Sequence, residues 1–187
     1  MPLPPPSPPP DWTARDAGWC LRTNRWCERG AVFALFACVS RLGDGVFWYL
    51  LMAALIVADG WNGVHASVHM AATGVVALTL YRTLKRHTRR PRPFAADARI
   101  RAWVAPLDEY SFPSGHTLHA VAFSSVAVWH YPVLAWLLVP FASAVAASRV
   151  VLGLHYPSDV LAALAIGAVL ALLSIIGGPA LVALIVS

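Results

Sequence analysis

The sequence predicts an all-α protein, a polytopic bundle of about five transmembrane helices preceded by an N-terminal interfacial helix. Three observations predict it. Of 187 residues, 58% are hydrophobic and 12% charged, where a soluble domain carries about 25% charged residues. The apolar residues gather in runs near the roughly 20 that one membrane crossing needs, and the mean hydropathy is +0.62. Residues 110–148 contain no Asp, Glu, Lys or Arg, a stretch too long for one crossing. At roughly 150 residues per domain, a single domain is expected. It covers residues 19–187, after a Pro-rich tail over residues 1–18.

The first ten residues hold seven prolines and no basic segment, which predicts a disordered polyproline spacer instead of a cleavable signal peptide. Residues 19–28 mix Trp and Leu with Arg, Asn and Glu, which suits a helix lying in the membrane interface. Apolar stretches follow at 31–42 and 46–58, on either side of the turn Gly43-Asp44-Gly45. They fit either an interfacial helix with a short span or two parts of a bent pair. After Asp59-Gly60-Trp61-Asn62-Gly63, a span over about 64–84 runs into a basic segment. His130-Tyr131-Pro132 divides the charge-free stretch into spans at 115–129 and 132–148. A last span covers about 159–176, and Gly177-Gly178-Pro179 is expected to stop it and leave an apolar tail too short to cross. Cys20, Cys27 and Cys38 are odd in number and contain no C-x-x-C pair, so they indicate neither a paired disulfide framework nor a zinc set.

The formal charge of +5 is local. Residues 82–101 hold eight Lys or Arg against one acid, Asp97, and carry +7, so the remainder sums to −2. In a membrane protein such a segment points to anionic headgroups or phosphates at the bilayer surface, and not to nucleic acid. Alternation of the spans places this loop on one face with the turn at 113–116, Arg149, His155 and Asp159.

Three clusters on that face carry chemistry. In the first, Lys85 to Phe94, the prolines after Arg90 and Arg92 favour an extended backbone that holds the cations out of a helix. Arg offers a planar fork and Lys a point charge, both suited to phosphate oxygens. The same residues also fit a stop-transfer flank. In the second, Pro113-Ser114-Gly115-His116, Ser114 is a natural N-cap and Gly115 admits close approach to the backbone. The free N–H groups of the first helical turn make an anion site, beside which His116 is placed to deliver a proton. A capped helix with an interfacial His is the plainer alternative. In the third, Ser148 to Asp159, Arg149, His155 and Asp159 are ionisable groups at span ends, where charge is expensive. Asp159 near His155 suits a carboxylate that bonds one ring nitrogen and leaves the other as nucleophile or base. Spacing alone does not assign the attacking His. His65 and His69 read as packed or interfacial, and His119 as pocket-lining or core.

Written as K-x6-R-P, P-S-G-H and S-R-x5-H-x3-D, the clusters occur in the order found in the type 2 phosphatidic acid phosphatase (PAP2) superfamily, which this chain resembles from Lys85 to Asp159 at every motif position. The resemblance implies a helical core shared with vanadium haloperoxidases and phosphatase chemistry that needs no metal or cofactor. It further implies His155 as the nucleophile that becomes a phosphohistidine, Asp159 as its orienting carboxylate and His116 as the acid for the leaving oxygen. Lys85, Arg92, Ser114, Gly115 and Arg149 correspond to the phosphate cradle. The implied substrate is a lipid phosphate in the bilayer: a polyprenyl diphosphate such as undecaprenyl diphosphate, phosphatidate or phosphatidylglycerophosphate. The alternatives are a lipid headgroup phosphotransferase and a non-enzymatic adaptor that holds anionic lipid. A haloperoxidase fits less well, because the known ones lack such membrane spans. The positive-inside rule puts the basic loop in the cytoplasm. The resemblance instead implies a bacterial inner membrane with the site on the periplasmic or outer side, its cations being phosphate ligands.

Overall fold

In the computed structural model, which describes residues 11–186, every regular element is helical. Helix α1 (Asp11–Asn24) passes through a 3-10 turn into α2 (Gly30–Gly43), followed by α3 (Val46–Thr88) and the single turn α4 (Pro93–Ala96). A long loop then leads to α5 (Gly115–His130), α6 (Ala135–Val151) and α7 (Pro157–Val186). The central helix is α5, which packs against α3, α6 and α7. Small residues make this possible. A Cβ on Gly74 of α3 would stand 2.6 Å from the Phe123 ring, and one on Gly167 of α7 would stand 2.9 Å from the Leu118 carbonyl, so both helices approach α5 more closely than larger residues permit. Trp48, Met70, Val126, Leu138 and Val145 fill the core between them.

Helix α3 is two limbs, 46–58 and 61–88, broken at Asp59 (φ −133°) and Gly60 (φ 52°, ψ −118°). The positive φ at Gly60 is the conformation glycine adopts without a Cβ penalty. The limbs fold back on each other, and the Ser67 hydroxyl donates to the Met52 carbonyl at 3.1 Å. Tyr131 donates to Asp59 at 2.8 Å, and His69 Nδ1 meets His130 Nε2 at 3.1 Å. The turns at 59–63 and 130–134 therefore share one face, and loops 89–114 and 152–156 share the other. His65 is exposed, with its ring against Trp61.

The expected spans fall on the two limbs of α3 and on α5, α6 and α7. Three helices among the described residues, Val46–Ala96, Pro132–Val151 and Pro157–Gly178, are long and apolar enough to cross a membrane. Their outward faces carry Leu50, Val57, Trp136, Leu161 and Leu172, a surface that suits lipid and not water. This is an integral membrane protein.

The structure departs from the sequence expectations at both ends. Helix α1 starts at Asp11, so the last eight residues of the expected tail are helical. The proline signal ends at Pro10, and Asp16, Cys20 and Asn24 form a buried stripe at helical spacing. Asn24 fixes the stripe to the bundle, donating to the carbonyls of Arg101 and Val151 and accepting the Arg101 N–H. Residues 1–10 lie outside the described residues. Helix α7 continues through Gly177 and Gly178, because lipid offers no partner for backbone groups released from a helix.

Candidate active site

The first cluster closes on itself through the backbone its prolines impose. Arg89 ends α3 in the left-handed region (φ 46°, ψ 32°), and Arg92 is extended (φ −75°, ψ 156°). This turns the Arg92 side chain inward, where it is 2% exposed. Arg92 donates to the Leu154 carbonyl at 2.7 Å and to the Asp108 carboxylate at 2.6 Å. Lys85, on the last turn of α3, donates to the same Asp108 oxygen at 2.6 Å and to the Tyr110 carbonyl at 3.0 Å. Burial pushes the Asp108 carboxyl up, but the Lys85 and Arg92 cations outweigh it and leave it below the usual carboxylate range.

The third cluster is shaped by Gly153, whose φ of 76° lets the chain double back after α6. The N–H groups of Leu154 and His155 both donate to the Arg149 carbonyl at 3.0 Å. His155 is thereby carried inside, 1% exposed. Its Nδ1 donates to the Ser111 carbonyl at 2.6 Å, which fixes the tautomer and leaves the Nε2 lone pair facing Arg92 Nη1 at 3.2 Å. Burial, reinforced by the Arg149, Arg92 and Lys85 cations, holds the imidazole well below the usual histidine pKa, so it is neutral near pH 7. Asp159 stands 3.7 Å from Nδ1. Its oxygens accept from Arg90 Nη1 at 2.6 Å and from the Tyr156 N–H at 2.9 Å. The direct acceptor on the His155 ring is thus the Ser111 carbonyl, with the Asp159 charge behind it.

In the second cluster Ser114 is the N-cap of α5, but its hydroxyl meets the Thr117 hydroxyl at 3.0 Å, and its N–H donates to the Asp159 carbonyl at 3.3 Å. That last bond fixes α5 to the start of α7. His116, one residue into α5, pairs through Nε2 with Asp44 from the α2–α3 turn. Arg149 donates to the Ser40 hydroxyl, while its Nε is buried without a hydrogen-bond partner among the described residues.

Of the residues the sequence singled out, Lys85, Arg92, Gly115, His116, Arg149 and His155 line one cavity of about 800 Å³. Ser114 and Asp159 are fully buried behind its wall. His119 lines it as well, held by the Gly115 carbonyl at 2.9 Å. Sequence reasoning missed Asp44, Asp108, Ser111 and the Arg90 contact to Asp159. The one signal for Asp44 and Asp108 is that each is a carboxylate next to apolar segments. Chemically, the cavity holds three buried cations, Lys85, Arg92 and Arg149, with Arg82 and Arg86 exposed on its lining, and a neutral imidazole beside a second imidazole paired to a carboxylate. It can therefore seat an oxyanion, attack it and protonate what leaves. Below the polar end the walls are Trp48, Met52, Ala71, Val75, Leu78 and Phe123.

The PAP2 superfamily model matches residues 62–181. Undecaprenyl-diphosphatase BcrC of Bacillus subtilis (strain 168) is 30% identical over 124 residues, a match covering 66% of this chain and 63% of that relative. A transmembrane PAP2-type phosphatidylglycerolphosphate phosphatase from Bacillus subtilis superposes with a TM-score of 0.71 at 23% identity, covering 88% of this chain and 84% of its own. Aquifex aeolicus LpxE superposes with a TM-score of 0.72 at 22% identity, covering 83% and 92%. The structural likenesses give the fold, and the segment matched by the family model contains all three clusters while leaving α1, α2 and Asp44 outside it.

Proposed function

The chain belongs to the PAP2 superfamily, and on that premise we propose that it is a membrane lipid phosphatase acting through a phosphohistidine on His155. One observation carries the reading. A neutral imidazole whose Nε2 lone pair faces the cavity-lining Arg92 stands among three buried cations at the polar end of an apolar cleft. Along α3 the lining runs from Ala71 to Lys85, about 21 Å at ~1.5 Å per residue, a depth that suits a prenyl or acyl chain.

In this mechanism Lys85, Arg92 and Arg149 hold the phosphoryl oxygens, with the first turn of α5 at Gly115 adding backbone N–H groups. The His155 Nε2 lone pair forms the N–P bond as the bond from phosphorus to the lipid oxygen breaks. His116 gives that oxygen its proton and then takes one from the water that attacks the phosphohistidine, releasing phosphate and restoring both histidines. Asp159 and the Ser111 carbonyl stabilise the charge that develops on the His155 ring. The substrate class is a polyprenyl diphosphate such as undecaprenyl diphosphate, phosphatidate or phosphatidylglycerophosphate. The setting is a bacterial inner membrane with the site on the outer side, which accessibility labelling of a cysteine placed in the 97–101 loop tests. The reaction is tested by phosphate release in EDTA from these three lipids, with His155→Ala alongside. Release by the parent alone supports the reading, and the ranking names the lipid. No release, or transfer of the phosphoryl group to an acceptor lipid, overturns it.

A further inference from the structure

In the sequence Arg90 is one of several cations of the basic segment, but in the fold its guanidinium is a fork between two carboxylates. Nη1 donates to Asp159 at 2.6 Å and to the Ser158 hydroxyl at 2.7 Å, and Nη2 donates to Asp16 at 2.8 Å. The guanidinium carbon lies over the Tyr156 ring, 4.1 Å from its centroid, a cation–π contact made by a planar fork that lysine lacks. Asp16, on the buried stripe of α1, binds Arg90 through Oδ2, accepts the Ser158 N–H through Oδ1 at 3.1 Å, and also meets the Ser158 hydroxyl. It thus caps the first turn of α7 at Ser158, the residue next to Asp159. Asp159 is fully buried, and a carboxylate in that setting is held charged only by a partner. Arg90 is the side-chain cation bonded to it, and Asp16 fixes Arg90. The other titratable groups facing this cluster are Cys20 of α1, Tyr156 and His155.

From this geometry we infer that Asp16 and Arg90 clamp Asp159 and are positioning residues for His155, which makes α1 a working part of the active site instead of an interfacial anchor. The inference rests on the phosphatase reading. Neither residue lines the phosphate cavity, so both act on the rate after binding. Arg90→Gln and Asp16→Asn are expected to lower kcat about tenfold or more with KM unchanged within about twofold, scaled from the 10–100-fold effects of removing an outer partner of a functional ligand. Alkaline buffer restores the Asp159 charge that Arg90 otherwise holds, so the Arg90→Gln deficit is expected to shrink as the pH rises from 6 to 9. Arg90→Lys, which lacks the fork, is expected to fall with Arg90→Gln, and the double variant to be no worse than either single one.

The experiment measures kcat, KM and the pH profile of these detergent-purified variants on the best lipid phosphate, with thermal midpoints beside them. A raised KM, a pH-independent loss, or additive single losses overturn the clamp, as does parent-like activity in Arg90→Gln. If Arg90→Gln does not fold, the milder Asp16→Asn, which leaves a hydrogen-bond acceptor, decides on the same criteria. A parent protein that releases no phosphate from any lipid overturns the phosphatase reading, and the positioning role with it. An active parent with unaffected variants overturns the clamp alone.

Discussion

Asp108 places a carboxylate on two of the cations assigned to the phosphate, which gives Asp108→Asn a defined consequence. One oxygen meets both Lys85 and Arg92 at 2.6 Å, so under the proposed mechanism an incoming phosphoryl group competes with it. Hydrogen bonds to charged groups contribute about 1.5–3 kcal/mol net, whereas exposed ion pairs contribute about 0–1. The Asp108 side chain is 38% exposed while its partners are 6% and 2%, so screening reduces the contact to about 1–2 kcal/mol in total. At about 1.4 kcal/mol per factor of ten, Asn at this position is expected to tighten oxyanion binding roughly 5- to 30-fold. The amide keeps the shape of the loop and one acceptor oxygen while removing the charge. The assay is inhibition by vanadate, an oxyanion that mimics a pentavalent phosphoryl group, together with KM for the lipid. Both constants are expected to fall by the same factor at unchanged kcat. Weaker vanadate binding in Asp108→Asn would refute the reasoning and make Asp108 a residue that holds Lys85 and Arg92 in place.

Asp44→Asn leaves His116 without its carboxylate, and general acid catalysis contributes about 10²–10⁴-fold. A kcat loss of at least about tenfold is expected on lipid phosphates and a much smaller one on p-nitrophenyl phosphate, whose leaving group needs no proton; equal losses on both substrates count against His116 as the acid. The His155 pKa is depressed in the folded protein, so the unfolded chain binds a proton near pH 6.5 that the native state refuses. Its contribution to stability is full above pH 6.5 and lost as the pH falls below it, and thermal midpoints measured from pH 7.5 to 5 are expected to decline less steeply in His155→Gln. Gly153→Ala forces a Cβ to 2.4 Å from the Arg101 carbonyl and 2.7 Å from Asn24 Nδ2 at φ 76°, adding about 1–2 kcal/mol of left-handed backbone cost to the broken Asn24 contacts. A midpoint lowered by about 5–12 °C is expected, and an unchanged midpoint would show that this turn carries no strain.

The sequence alone determined that the protein is a helical membrane bundle and which residues share a face. Hydropathy and span length are short-range properties, and counting crossings from one turn to the next brings Lys85, Arg92, His116, Arg149 and His155 together without coordinates. The turns at Asp59-Gly60 and His130-Tyr131-Pro132 were legible for the same reason. Tertiary structure decided which carboxylate serves which group. Asp44 reaches His116, Asp108 spans Lys85 and Arg92, the Ser111 carbonyl accepts the His155 Nδ1–H, and Asp16 holds Arg90 against Asp159. Most of these pairs join distant segments, so neither periodicity nor motif spacing encodes them. Asp159 shows the difference. Its place four residues after His155 suggested a direct bond, but the fold puts the Ser111 carbonyl closer and turns Asp159 toward Arg90, because a buried carboxylate is stabilised by whichever cation the surrounding segments bring to it.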